Sequence, residues 1–126
     1  MDGSRPAGFA EAPAAAFVAD GSALPAPATT LAEGTRFRVR TLRLAPGEAT
    51  VLQSHLHRSE HWVVVEGTAE ITVGVRSRLV AEGDAVHVPL GQLHCLENPG
   101  RLPVTLIAVE TGGYLGEDDV ICHGGP

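Results

Sequence analysis

Lysine is missing from this chain of 126 residues, and arginine supplies all nine basic side chains. The absence of lysine excludes Schiff-base chemistry and leaves guanidinium groups as the fixed cations for a phosphate or carboxylate ligand. Fifteen acidic residues outnumber the basic ones, so the formal net charge is −6. Because an acidic surface does not attract polyanions, we expect neither nucleic acid nor anionic membrane as a partner.

Cysteine and long hydrophobic runs are also scarce. The two cysteines, Cys95 and Cys122, are too few for a disulfide framework, and we interpret both as free thiols. No stretch approaches the roughly 20 apolar residues of a membrane span, and the N-terminus lacks the pattern of a secretory signal. We therefore expect a cytoplasmic protein without a membrane segment.

Glycine and proline, in contrast, are abundant, with 15 and 9 copies. Residues 1–30 are rich in Ala and Pro and are predicted to form an extended N-terminal arm, with a disordered tail as the alternative. Residues 31–126 then form a single domain, in which short apolar runs alternate with Gly- and Pro-containing turns. This pattern is typical of an all-β sandwich or barrel. The predicted strands cover residues 36–44, 49–56, 61–66, 69–75, 78–80, 85–88, 94–97 and 104–111.

Two groups of charged residues are predicted to lie at the surface. Arg36, Arg38 and Arg40 alternate with Phe, Val and Thr, so they share one face of the first predicted strand. We expect a solvated face of an outer strand there in preference to an anion site. The acidic stretch at residues 117–119 is likewise expected to be a solvated loop in preference to a cation site.

Histidines at close spacing indicate a metal site. His55 and His57 are two residues apart on a predicted strand, so alternation would place both side chains on one face. Glu60 follows a short turn, and His94 lies further along the chain after a Pro-x-Gly turn. Imidazoles with a carboxylate suit one divalent ion such as Zn, Mn, Fe, Ni or Co. A single His-x-His occurs easily by chance, and surface histidines are the alternative.

A second motif gives this interpretation more weight. The spacing Gly83-x5-Pro89-x-Gly91-x2-His94-x3-Asn98 fixes five positions, each of which suits a turn or a ligand. Coincidence is a poor explanation for all five.

Together these residues resemble the cupin superfamily, whose fold is a double-stranded β-helix, or jelly-roll barrel. The cupin motifs are Gly-x5-His-x-His-x3,4-Glu-x6-Gly and Gly-x5-Pro-x-Gly-x2-His-x3-Asn. The second fits without change, but Gly47 lies too far from His55, and the gap from His57 to Glu60 is too short. Counting back from Gly67 favours Glu60 as ligand, whereas counting forward from His57 points to His61.

A narrower resemblance covers about residues 53–120, where His-Arg-Ser-Glu-His-Trp, Leu-Glu-Asn-Pro-Gly and Gly-Tyr-Leu-Gly-Glu-Asp-Asp occur. These stretches are similar to the cupin portion of type II mannose-6-phosphate isomerases, which are often fused to a mannose-1-phosphate guanylyltransferase. The resemblance implies metal-dependent interconversion of an aldose and a ketose phosphate. The sequence contains no Gly-rich phosphate loop, so guanylyl transfer is not expected. The alternatives are a metal-dependent dioxygenase or decarboxylase, or a non-catalytic cupin that binds a sugar or effector.

Further residues receive roles on this interpretation. Arg58 and Arg101 are the candidates for binding the substrate phosphate. The candidates for the proton carrier are His61, His87, Glu97 and Glu110; spacing singles out none of them, and we assign the role to His61 and Glu97. By analogy with the fold, strand addition or exchange is expected to form a homodimer.

Overall fold

The structure, a computed structural model, describes residues 16–18, 28–50 and 52–123. Within these ranges the chain forms strands joined by turns and one 3₁₀ turn at Glu117–Asp119. No helix among these residues is long and apolar enough to cross a membrane. The strands are β1 (Ala16–Val18), β2 (Ala28–Glu33), β3 (Phe37–Leu44), β4 (Glu48–Thr50), β5 (Gln53–His55), β6 (Arg58–Glu66), β7 (Ala69–Val73), β8 (Arg76–Val80), β9 (Ala85–Val88), β10 (His94–Glu97), β11 (Val104–Gly112) and β12 (Val120–Cys122).

Two antiparallel sheets contain all of these strands. The five-stranded sheet has the order β2-β3-β11-β6-β9. In the second sheet the order is β1-β4-β10-β5-β12, with β7 pairing both β10 and β8. The predicted all-β, jelly-roll architecture is confirmed. The apolar core between the sheets consists of Leu44, Trp62, Val64, Ala69, Ile71, Val80, Val86, Val88, Leu96, Val104, Leu106 and Ala108.

Strand β6 shows how the sequence directs side chains to the two faces of a sheet. Its burial alternates, with Glu60, Trp62 and Val64 buried and His61 and Val65 exposed. This is the period of two that a half-buried strand requires. The alternation therefore turns Glu60 toward the interior of the barrel and His61 away from it.

The predicted strand 49–56 is wrong, because the chain forms two strands there. Strand β4 ends at Thr50, β5 ends at His55, and the chain bends at residues 56–57 before β6 begins at Arg58. His55 and His57 consequently do not belong to one strand, and the alternation used to place them on one face does not apply.

The predicted N-terminal arm falls mostly on residues 1–15 and 19–27, which lie outside the described residues. Strand β2 begins at Ala28 and pairs with β3, so the described part of the sheet crosses the boundary expected at residue 30. The division into arm and domain at that residue stays a prediction.

Arg36, Arg38 and Arg40 were expected on a solvated outer face; Arg36 is exposed, but the expectation is wrong for Arg38 and Arg40. Strand β3 lies between β2 and β11, and its even-numbered side chains point into the barrel. Arg40 is only 6% exposed, and the Arg38 side chain is 13% exposed. Both guanidinium groups therefore lie inside the barrel, close to the polar cavity described below.

Gly67 and Asn98, which belong to the two cupin motifs, occupy positions in turns that suit them. Gly67 has φ +80°, and a Cβ there would collide with the carbonyl oxygen of Pro103. Asn98 is fully buried and donates from Nδ2 to the carbonyls of Leu44 (3.1 Å) and Leu102 (2.8 Å). Its Oδ1 accepts from the amide of Gly100 at 3.0 Å. Asn98 thus joins three chain segments by hydrogen bonds.

Candidate metal centre

His55, Glu60 and His94 converge inside the barrel. Each side chain is buried, and their ligand atoms all lie within 4.8 Å of one another. His55 is the last residue of β5, Glu60 lies on β6 and His94 begins β10, so both sheets contribute to the cluster. The cluster borders a cavity of about 70 Å³. Its lining residues are Arg40, Leu42, Thr50, Gln53, His55, Arg58, Glu60, Trp62, His94, Leu96, Ala108, Glu110 and Val120.

Both imidazoles are oriented by backbone carbonyls. Nδ1 of His55 lies 3.2 Å from the carbonyl oxygen of Asp119, and Nδ1 of His94 lies 3.0 Å from that of Gln92. Donation from each Nδ1–H to its carbonyl leaves Nε2 as the ring nitrogen that a metal ion would contact. This arrangement is typical of metal-binding histidines, because the outer hydrogen bond fixes both tautomer and ring orientation.

Burial favours the neutral form of His94, which is the form that binds metals. Burial lowers its pKa, and this effect outweighs the hydrogen bond to Gln92 and the charge of Glu60, which raise it. The His94 ring lies 4.9 Å from the His55 ring and 5.4 Å from the Trp62 ring, measured between centroids. His94 is therefore held neutral in a packed aromatic environment.

Glu60 is ionised despite being buried. Burial by itself would raise its pKa, but the hydrogen bond and charge of His55, the hydrogen bond from Trp62 and the charge of Arg58 together lower it to about 2. The Trp62 indole donates to Oε1 at 2.7 Å, and Nε2 of His55 lies 3.1 Å from Oε2. The interior of the barrel thus holds a buried carboxylate beside two imidazoles.

Gln53 belongs to the same cavity, and the sequence analysis missed it. It is buried, directly opposes His94 in the sheet, and lines the cavity. The spacing Gly47-x5-Gln53-x-His55-x4-Glu60-x6-Gly67 matches that of the first cupin motif, but Gln53 stands at the position of the first histidine. The distance from Gly47 was the sequence signal that could have identified it.

The structure does not bring His57 to this cluster. Its side chain is 59% exposed, and Nδ1 lies 2.8 Å from Oδ1 of Asp119. The bend at residues 56–57 directs the ring outward, which corrects the expectation that His57 and His55 bind one ion from the same strand face.

Asp119 supports the end of β5 from a distant part of the sequence. Its carboxylate accepts from the amides of Leu56 (3.1 Å) and His57 (3.0 Å), while its own carbonyl oxygen contacts Nδ1 of His55. Burial would raise the pKa of Asp119, but the hydrogen bonds from His57 and the two amides lower it overall. The expectation of a solvated acidic loop is wrong for Asp119, which is 5% exposed.

A group of buried arginines adjoins the metal-ligand cluster. Arg58 is 3% exposed; its Nη2 lies 3.4 Å from Nε2 of His55, and its Nε lies 3.5 Å from Oε2 of Glu60. Arg38 donates from Nε to Glu110 at 2.8 Å, and Arg40 lies 3.7 Å from the same carboxylate. Three guanidinium groups thus surround two carboxylates, Glu60 and Glu110, which leaves an excess of positive charge.

Glu110 differs from Glu60 in its protonation behaviour. Burial raises the pKa of Glu110, the nearby charge of Glu60 raises it further, and the three arginines oppose this shift without cancelling it. Two carboxylates in one cavity therefore have pKa values shifted in opposite directions. Two carboxyl groups whose environments shift their pKa values apart are common at functional sites, where they have different roles.

Three other residues assigned roles from the sequence lie away from the cavity. His61 is exposed on the outer face of β6 and stacks on His87, because its neighbours Glu60 and Trp62 take the inward positions. Glu97 and Arg101 are also exposed, and neither lines the cavity. These positions correct the expectation that His61, Glu97 and Arg101 meet the substrate beside the metal ligands. Arg58 is the one assigned phosphate-binding residue that lines the cavity.

The donor set suits a divalent transition metal. Two imidazole nitrogens and a carboxylate oxygen are gathered from facing strands, and Gln53 lines the same cavity. Zn, Mn, Fe, Ni and Co are all bound by such mixed nitrogen and oxygen ligands. Arg58 would compete with an ion for His55 and Glu60, since its guanidinium lies next to both.

A jelly-roll barrel that encloses a His/Glu/His cluster of this spacing defines a cupin. Residues 26–123 match the family described as Mannose-6-phosphate isomerase C-terminal. The chain belongs to this family.

Curated relatives contain the same domain as a small part of a longer protein. The chain is 49% identical over 88 residues to the mannose-1-phosphate guanylyltransferase ManC of Salmonella typhimurium, covering 70% of this chain and 18% of that protein. It is 50% identical over 88 residues to the xanthan biosynthesis protein XanB of Xanthomonas campestris pv. campestris, covering 70% and 19%. The chain thus spans about a fifth of the length of these relatives.

Solved structures share the fold. A protein with a double-stranded β-helix domain from Klebsiella pneumoniae aligns with a TM-score of 0.69 at 23% identity, over 77% of this chain and 78% of that one. A cupin sugar phosphate isomerase from Silicibacter pomeroyi aligns with a TM-score of 0.62 at 24% identity, over 67% and 57%. At these identities the likeness establishes the cupin fold.

Proposed function

We propose that this domain is a metal-dependent isomerase that interconverts an aldose and a ketose phosphate, with mannose 6-phosphate as the first substrate to test. The observation that carries the proposal is the joint presence, around one cavity, of a candidate metal site, an ionised Glu60 and a Glu110 carboxyl with a raised pKa. The family and the name of the Silicibacter protein support the same substrate class.

His55, Glu60 and His94, with Gln53, are the residues that would hold the metal. A bound divalent ion would supply Lewis-acid polarisation of the substrate carbonyl. Isomerisation moves the hydrogen on C2 of the aldose to C1 and the hydroxyl proton on O2 to O1, so it needs a group that accepts a proton from carbon and returns it. Glu110 suits this task, because it lines the cavity and its raised pKa brings it closer to the pH at which a carboxylate acts as a base.

Arg58 and Arg40 are the phosphate-binding candidates within the cavity. Both guanidinium groups are buried, and a guanidinium forms directional, charge-assisted hydrogen bonds to phosphate oxygens. The cavity of about 70 Å³ has room for a few water molecules, so a hexose phosphate would enter it only in part.

The test is conversion of mannose 6-phosphate to fructose 6-phosphate by the metal-stripped chain reloaded with Zn, Mn or Co. We expect turnover with at least one metal, and we expect Glu110→Gln to lower kcat by about 100-fold or more while metal content is retained. Glu97→Gln is the matched control, since Glu97 is exposed and outside the cavity. Absence of conversion by metal-loaded protein with every metal would overturn the proposal.

We also propose that the chain acts as a cytoplasmic homodimer. Strand β9 ends the five-stranded sheet and could pair with a strand of a second copy, which would cover its open edge. A monomeric mass by light scattering at micromolar concentration would contradict the dimer.

A further inference from the structure

We propose that His61 and His87 form a second metal-binding site, on the outer face of the five-stranded sheet, for a transition-metal ion that prefers imidazole nitrogen. Both side chains are exposed. Their rings stack with centroids 4.3 Å apart and planes inclined by 13°. Because Glu60 and Trp62 point to the other side of the same strand, this pair is separate from the ligand cluster in the barrel.

Strand register brings the two histidines together. His61 and His87 are direct partners in the antiparallel pairing of β6 with β9, and β6 is held on its other side by β11. Directly opposed side chains on one face have Cβ atoms about 4.5–5.5 Å apart. Tetrahedral coordination with bonds near 2.0 Å needs two nitrogens roughly 3.3 Å apart. Rotation of two exposed rings would reach that separation without a change in the backbone.

The surroundings favour some metal ions over others. The outward-facing side chains at the adjoining positions are Val63, Ala85 and Val109, which carry no ligand atom, and Ser59, whose hydroxyl hydrogen-bonds to the Thr111 hydroxyl at 3.2 Å. Mg²⁺ and Ca²⁺ require oxygen ligands, whereas Zn²⁺, Cu²⁺ and Ni²⁺ bind imidazole. Water would complete the coordination of an ion held by two histidines.

The positive charge of Arg78 strengthens the preference for ions that form coordinate bonds to imidazole nitrogen. Arg78 donates to the carbonyl of Ala85 at 3.3 Å, and together with His87 it lines a cavity of about 320 Å³. A guanidinium that shares a cavity with His87 opposes cations that are held by charge alone. The ion must form coordinate bonds to the two nitrogens, as Zn²⁺ and Cu²⁺ do.

Calorimetric titration of the metal-stripped full chain with ZnCl₂ tests the proposal. We expect His87→Phe to bind one Zn²⁺ fewer per chain than the wild-type protein. Phenylalanine keeps an aromatic ring beside His61 but removes the ligand nitrogen. A lower Zn²⁺ stoichiometry can then be attributed to the lost nitrogen and not to lost ring stacking. His61→Phe should have the same effect. Circular dichroism of each variant checks that the fold is retained.

The design separates this site from the barrel site. His55→Ala should lose the barrel ion and keep the outer one, so it should bind one Zn²⁺ fewer per chain than the wild-type protein. Adding His87→Phe to His55→Ala should remove one further Zn²⁺ per chain. Equal Zn²⁺ stoichiometry of folded wild-type and His87→Phe proteins would overturn the proposal, whatever the barrel binds.

Discussion

At the scale of single residues, the candidate metal centre depends on groups that orient its ligands. Asp119 is the clearest case, because it fixes the His55 ring through its carbonyl and the preceding bend through its carboxylate. Positioning groups of this kind affect metal binding without touching the ion. Their contribution is therefore best measured as metal affinity.

We expect Asp119→Ala to weaken metal binding by about 10- to 100-fold, because His55 loses the carboxylate-supported bend that orients it. The neighbouring Asp118→Ala is the control: Asp118 is exposed and accepts a hydrogen bond from the exposed Tyr114 hydroxyl. Competition against a chromogenic chelator measures both affinities. Equal affinities of the Asp119 and Asp118 variants would contradict this role.

Arg58 is expected to weaken the binding of the metal ion and to strengthen the binding of the substrate. Replacing it in Arg58→Met removes a cation beside His55 and Glu60, so metal affinity should rise by about tenfold or more. If the proposed sugar phosphate is the substrate, the same change should raise its KM by about tenfold, because the proposed phosphate-binding guanidinium is lost.

Arg101→Met is the matched control for this pair of measurements, since Arg101 is exposed and does not line the cavity. Chelator competition and steady-state kinetics report the two effects separately. A fall in the metal affinity of Arg58→Met would show that the guanidinium supports the metal site instead of competing with it.

At the scale of strands and turns, glycine is required at two motif positions for different physical reasons. Gly67 has φ +80° and lies against the Pro103 carbonyl, whereas Gly83 has φ +88° and nothing within 4 Å of an added Cβ. Gly83→Ala should cost about 1 kcal/mol of unfolding free energy, from the backbone conformation alone. Gly67→Ala adds a collision and should cost about 2–4 kcal/mol.

Urea unfolding of both variants checks this comparison. The difference between them isolates the contact with Pro103, because the backbone strain is nearly matched. Equal losses of stability would mean that the turn after β6 relaxes away from Pro103 at no cost.

The second motif was predictable from sequence because its residues act locally. Gly83, Gly91, His94 and Asn98 occupy turns and a strand start at the expected spacing, and the structure places His94 in the cluster. The first motif was misaligned because His55-x-His57 looks like a ligand pair on one strand. The bend at residues 56–57 is what separates them.

Other parts of the site depend on pairing between distant strands. Asp119 reaches His55 because β12 pairs with β5, and Arg38 reaches Glu110 because β3 pairs with β11. Nothing in the local pattern of either segment specifies its partner, since sheet order does not follow chain order. Arg38, Arg40 and Asp119 were therefore assigned to the surface.

At the scale of the whole molecule, charge is distributed unevenly. The chain carries a net charge of −6, yet three arginines surround two glutamates at the cavity. An acidic exterior with a locally cationic cavity favours small anions there over polyanions at the surface. This distribution agrees with a phosphorylated sugar as the ligand.

Metal content tests the central claim, that the barrel binds one metal ion through His55, Glu60 and His94 and not through His57. The measurement is elemental analysis after equilibration with Zn²⁺ and gel filtration, made in a His87→Phe background to exclude the outer pair. We predict about one ion per chain for the background protein and for added His57→Ala, and about none for added His55→Ala. Stoichiometric metal in the folded His55→Ala protein, or its loss from folded His57→Ala, would contradict the account.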